Sequence, residues 1–109
     1  MTNYIPPTES ALMQRLEECV QKAAGPMEVE AWYRIACLGD FFAEQNGWVF
    51  NGWSAVILVL VKRHNWLPEE IERMSVSHLA IVLTEDLVNH KLTPLQSSFL
   101  AQWMKRQQR

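Results

Sequence analysis

The chain has 109 residues and a mass of 12.7 kDa, which is room for one domain and little more. Apolar residues make up 49% and charged residues 20%, with four Gly and five Pro, a globular composition that excludes a disordered or low-complexity chain. Ten basic against twelve acidic residues leave a net charge of −2, which argues against a whole-surface attraction to nucleic acid.

The N-terminal segment Met1–Pro7 is expected to be extended, because Pro6 and Pro7 oppose helix. It carries no Lys or Arg and no apolar stretch comes after it, so a signal peptide is not expected and the expected location is cytoplasmic. Thr8 or Ser10 caps a first helix to about Ala24, with Leu12, Leu16, Cys19, Val20 and Ala23 as its apolar stripe. Glu18 and Lys22 stand four apart on its outer side. Gly25 suits the left-handed position after this helix, and Pro26 suits the first turn of the next.

The second helix is predicted over Pro26–Gln45. Its apolar set is Val29, Trp32, Tyr33, Ile35, Ala36, Leu38, Phe42 and Ala43, broad enough to place it centrally in a bundle. Gly39 in its middle costs about 0.5–1 kcal/mol against Ala, which points to a close-packed neighbour or a bend there. The Asn46–Trp53 stretch contains Asn-Gly-Trp twice and reads as a connecting loop, with Asn51 or Ser54 capping the third helix. Ala55–Val61 is the longest apolar run, seven residues, far short of the roughly 20 a membrane span needs. Its β-branched content suits a strand as well as a helix. A helix over Trp53–His64 is preferred, since no second strong strand is available to pair with it and Lys62-Arg63-His64 suits a helix C-terminus.

Pro68 with Glu69 and Glu70 starts a short fourth helix that ends near Met74. Ser75 or Ser77 caps a fifth to about Asn89, with Leu79, Val82, Leu83 and Leu87 inward. Thr93-Pro94-Leu95-Gln96 is a capping box for the last helix, with Leu95, Phe99, Leu100, Trp103 and Met104 inward. The expected fold is therefore all-α: a single domain over 1–109, a compact irregular bundle of five or six short helices.

Candidates for chemistry are sparse. His64, His78 and His90 are widely spaced, and the chain lacks HExxH and Cys/His clusters, so no metal or other cofactor is expected. Asp86 and His90 share a helix face at i, i+4 and read as a surface ion pair. Asp40 and Glu44, also at i, i+4, read as solvated acids rather than a catalytic pair. Cys19 and Cys37 fall inside helical patterns and read as small buried hydrophobes, with a single disulfide as the alternative. The chain is not expected to be an enzyme.

Charge and aromatics are more informative. Residues 1–61 carry a net charge of −4 and residues 62–109 a net of +2. Lys62 and Arg63 form one basic group, and Lys105, Arg106 and Arg109 another; merged, they would make a phosphate-contacting patch. There are five Trp, and Phe41, Phe42, Trp48, Phe50 and Trp53 fall within thirteen residues. Trp48, Phe50 and Trp53 lie outside the helical stripes, which makes them candidates for a partner-binding surface.

Trp66-Leu-Pro68-Glu-Glu-Ile71-Glu-Arg-Met74-Ser75-Val-Ser-His-Leu79 resembles a short segment of small bacteriophage tail-assembly proteins, which share the Trp-x-Pro start, the Met-Ser step and the Leu. The resemblance covers fourteen of the 109 residues. It implies a phage or mobile-element setting in which small acidic helical proteins work by binding other proteins, and it carries over no catalytic residue. The expected function is thus a non-enzymatic protein-binding module, either a phage-type assembly chaperone or adaptor, or a small inhibitor of a host protein. The alternatives are nucleic-acid binding through the C-terminal basic residues and self-assembly into a homo-oligomer.

Overall fold

A computed structural model describes residues 8–107, so the Met1–Pro7 segment and Arg109 lie outside the described residues. These residues form seven α-helices: α1 (Glu9–Lys22), α2 (Pro26–Asn46), α3 (Gly52–His64), α4 (Pro68–Glu72), α5 (Val76–Val82), α6 (Thr84–Asn89) and α7 (Pro94–Gln107). The all-α reading holds, and Ala55–Val61 is helical.

Most starts are where local capping chemistry puts them. Thr8 accepts a hydrogen bond from the Ala11 amide at 3.2 Å, and Ser75 accepts from the His78 amide at 3.1 Å. Thr93 and Gln96 close a full capping box, the Thr93 amide donating to Gln96 Oε1 at 2.9 Å and the Gln96 amide to Thr93 Oγ1 at 3.2 Å. At α4 the Leu67 amide donates to Glu70 Oε1 at 3.2 Å behind Pro68.

Four local expectations are corrected. Gly25 is extended, with φ 179°, and not left-handed; Ala23 ends α1 in extended backbone. The expected fifth helix is two, α5 and α6, broken at Leu83. There the Thr84 hydroxyl lies 2.9 and 2.8 Å from the carbonyls of Ala80 and Ile81, so its one proton is shared between two acceptors at the break. Leu95 is 44% exposed, and Gln96, drawn in by its capping bonds, is buried in its place. Asn51 holds the position before α3, but neither it nor Ser54 caps that helix with its side chain.

α2 is the centre of the bundle: Val29, Trp32, Tyr33, Ile35, Ala36, Leu38, Phe42 and Ala43 are all buried. The other helices except α4 pack against it. One hydrophobic cluster joins it to Leu16 and Cys19 of α1, Val56, Val59 and Leu60 of α3, Ile71 of α4, Leu79 of α5 and Leu100 of α7. α3 meets α2 most extensively. It starts against Gly39, where an added Cβ would collide with the Gly52 carbonyl oxygen and lie 2.6 Å from its carbon. It ends beside the C-terminal part of α2, with the Arg63 guanidinium 5.4 Å from the Phe42 ring and Lys62 Nζ 5.6 Å from the Trp48 ring. Gly39 is therefore the close-approach point that its position in a long apolar helix suggested.

Candidate docking surface

The loop between α2 and α3 is held at both ends. α2 closes on Gly47 in left-handed backbone, with the Trp48 amide donating to the Ala43 carbonyl at 3.0 Å. α3 opens on Gly52, at φ 58°, whose amide donates to Asp40 Oδ1 at 3.0 Å. The first turn of α3 is thus capped by a carboxylate from the middle of α2. The other oxygen of Asp40 takes the Arg15 guanidinium of α1, and Arg15 also donates to Asn51 Oδ1 at 2.9 Å. Asp40 and Arg15 side chains are 4% and 12% exposed.

This corrects the reading of Asp40 as a solvated acid. It is buried, and desolvation pushes its carboxyl above the ordinary value against the opposing pull of Arg15 and the Gly52 amide. Glu44 remains exposed. Both line a cleft of about 450 Å³ between α2 and the α6–α7 connection. Its polar groups are largely engaged: Arg34 with Glu30, Asp40 with Arg15, Gln96 with Thr93, and His90 stacked on Phe41 at 3.6 Å. The expected Asp86–His90 pair is also split, since Asp86 takes both guanidinium nitrogens of Arg63 at 2.8 and 3.0 Å. Among the described residues, no group of three His, Cys, Asp or Glu is placed to hold a metal ion.

Anchored in this way, the loop displays three consecutive apolar residues. Trp48 and Phe50 stack with centroids 5.2 Å apart and planes at 25°. Val49 is 65% exposed and Phe50 43% exposed. Trp48 is half-buried against the core, under the Lys62 ammonium. Leu58, half-buried, stands one helical turn before Lys62 on the same stripe of α3.

The three aromatics singled out in the sequence are divided. Trp48 and Phe50 are together on the loop. Trp53 is in the first turn of α3 and packs edge-to-face on Trp32, centroids 5.4 Å apart at 87°. Lys22, expected beside Glu18, instead lays its ammonium over both indoles. Val49, which sequence reasoning passed over, is the most exposed of the loop residues; its place between Trp48 and Phe50 was the available signal.

The basic residues are also divided. Arg63 is paired with Asp86 of α6, while Lys62 sits over Trp48. α7 packs on α1 and α2, and Arg106 lines the groove between α7 and α1 with Glu17 and Trp103. Lys105 is exposed on α7. Among the described residues the two groups have different neighbours, and Arg63 of the first is charge-neutralised by Asp86.

Both cysteines are buried free thiols. Burial pushes Cys19 up to about 11 and Cys37 up to about 12, so neither is a thiolate at neutral pH. No helix among the described residues is long and apolar enough to cross a membrane. No protein-family model, curated protein or solved structure matches the chain.

Proposed function

We propose that the protein is a non-enzymatic binding module whose α2–α3 loop docks onto another protein. The observation that carries this reading is the display of Trp48, Val49 and Phe50 on a loop tied down at Gly47, Asn51 and Gly52. A pre-ordered loop loses little conformational freedom on binding, so its apolar contacts count more fully toward affinity. Trp is among the residues enriched at interface hot spots, and Phe50 and Val49 extend the apolar surface around it. With one cation, Lys62, over the Trp48 ring and Arg63 already neutralised by Asp86, the surface suits a largely apolar partner patch edged by an acid. Within this class the protein acts as a phage-type assembly adaptor or as a small inhibitor of a host protein, in the cytoplasm.

The test compares wild type with a Val49→Ala/Phe50→Ala variant in co-purification from the host, after nuclease treatment. One protein retained in near-stoichiometric amount by wild type and lost by a variant with an unchanged melting temperature supports the reading. Equal retention by both, or a wild type that holds nothing and forms a homo-oligomer by light scattering, overturns it. The rival reading is single-stranded nucleic acid, favoured by the flat Trp48–Phe50 stack beneath Lys62. That reading requires retention on a phosphate-bearing column that falls steeply with salt.

A further inference from the structure

Away from the loop, the α1–α3 side of the molecule carries a second aromatic arrangement of a different kind. Trp32 of α2 and Trp53 of α3 meet at 87°, forming two walls of a corner. Into that corner the side chain of Lys22 places its ammonium, 3.9 Å from the Trp53 centroid and 4.4 Å from that of Trp32. Both distances are well inside the roughly 6 Å over which an aromatic face attracts a cation. Beside the seated Lys22 a cavity of about 210 Å³ remains, lined by Arg15 and Glu18 as well as by the two indoles. It is smaller than the roughly 300–1,000 Å³ of a drug-sized site, so it fits the end of a side chain rather than a whole metabolite.

The charges around the corner are mixed, and the two indole faces are its main attraction for a cation. Glu18 lines the cavity; at Lys22, burial pulls the ammonium below its ordinary value against the smaller opposing pull of Glu72 of α4. Arg15 also lines the cavity, but its guanidinium nitrogens are engaged by Asp40 and Asn51. The corner itself is built: Trp32 is 7% exposed and locked in the core, with Trp53 packed on it. The occupant is not. Lys22 is the last residue of α1, is exposed, and hangs on a flexible four-carbon stem with no ion-pair partner within 4 Å among the described residues.

We propose that the Trp32–Trp53 corner is a recognition site for an alkylammonium group, the end of a lysine side chain on another protein, and that Lys22 fills it as an internal stand-in until displaced. The resident group itself establishes which ligand chemistry the corner accommodates: a primary ammonium on an alkyl stem, seated over two indole faces. This assignment is independent of the α2–α3 loop and stands or falls without it.

Such an arrangement predicts that removing a cation strengthens cation binding. An internal competitor held by a partly desolvated cation–π contact lowers outside affinity by about tenfold. The probe is n-butylammonium, which copies the end of a lysine side chain, added at constant ionic strength and followed by Trp fluorescence and the indole N–H signals in NMR. Lys22→Gln, with a circular dichroism spectrum and melt that match wild type, binds n-butylammonium about tenfold more tightly than wild type. Adding Trp53→Leu, or the milder Trp53→Phe if the former is unfolded by circular dichroism, removes or weakens that gain. Lys22→Gln binding no more tightly than wild type overturns the proposal. So does a gain that survives loss of the Trp53 indole, or a gain seen with tetramethylammonium and absent with n-butylammonium.

Discussion

Replacing Asp40 by Ala removes, in one change, the partner of the Arg15 guanidinium and the acceptor for the first amide of α3. Arg15 and Asp40 side chains are 12% and 4% exposed, so the charge left behind has little access to water. Removing one member of a buried pair costs about 3–5 kcal/mol. Orphaning a buried amide such as that of Gly52 costs about 1–3 kcal/mol. These are not additive, because Arg15 keeps Asn51 Oδ1 at 2.9 Å and has some room to turn outward. A net loss of about 3–4 kcal/mol is expected, a large part of the 5–15 kcal/mol that holds a domain of this size folded. At about 4–8 °C per kcal/mol, the melting temperature falls by about 12–30 °C. Urea unfolding followed by Trp fluorescence and by circular dichroism measures this, through a lower midpoint at unchanged slope. The companion is the apolar swap Arg15→Met/Asp40→Leu, which removes both charges and leaves the buried Gly52 amide and the half-buried Asn51 Oδ1 without their partners. It loses about 1–2 kcal/mol, less than Asp40→Ala alone. If Asp40→Ala costs under about 1 kcal/mol, or if the double swap is as damaging as the single one, the pair is not what holds α1, α2 and the start of α3 together.

Gly39→Ala gains about 0.5–1 kcal/mol of helix propensity yet forces its Cβ onto the Gly52 carbonyl, so a net loss of about 1–3 kcal/mol is expected in thermal melts. An unchanged or raised melting temperature would show that α3 shifts freely away from α2. Cys19 and Cys37 resist modification by Ellman's reagent at pH 8 in the folded protein and react once urea unfolds it. Rapid stoichiometric labelling of the native protein contradicts that. The same burial makes the protein alkali-sensitive. The folded thiols hold their protons to about 11 and about 12, whereas unfolded ones lose them near 9.0. Their contribution is therefore fully present below pH 9 and declines as pH rises from there toward the folded values, and Cys→Ala variants lose part of that decline in pH-dependent urea titrations.

The candidate docking loop was partly legible in the chain itself. Asn-Gly turn chemistry and the misfit of Trp48 and Phe50 with any helical stripe marked the segment. Trp53 was misplaced with them because a residue in the first turn of a helix has no preceding turn to reveal its stripe. Asp40 was the more instructive miss. It is the one charged residue in Ile35–Ala43, on a helix apolar on most sides, and a lone charge in such a setting is buried and must be paired. Arg15 stands between Leu12 and Cys19 at helical spacing, on its helix's apolar stripe. Each residue carried a sign of burial, and neither carried a sign of the other.

Where α1, α2, α4, α5 and α7 begin is a matter of contacts within about four residues, and those are written in the chain: Thr8, Pro26, Pro68, Ser75 and the Thr93–Gln96 box each act on their own turn. The burial of α2 is equally local, since its apolar residues cover too much of its surface to leave a polar face. What the tertiary structure decided lies at longer range. Arg15 reaches Asp40 across 25 positions and Asn51 across 36, and Asp40 reaches Gly52 across 12. The start of α3, the presentation of Trp48, Val49 and Phe50, and the seating of Lys22 between Trp32 and Trp53 all depend on how α1, α2 and α3 meet. Local patterning determines which faces are apolar, but which apolar faces come together, and which charges are trapped between them, is settled only when the whole core packs at once.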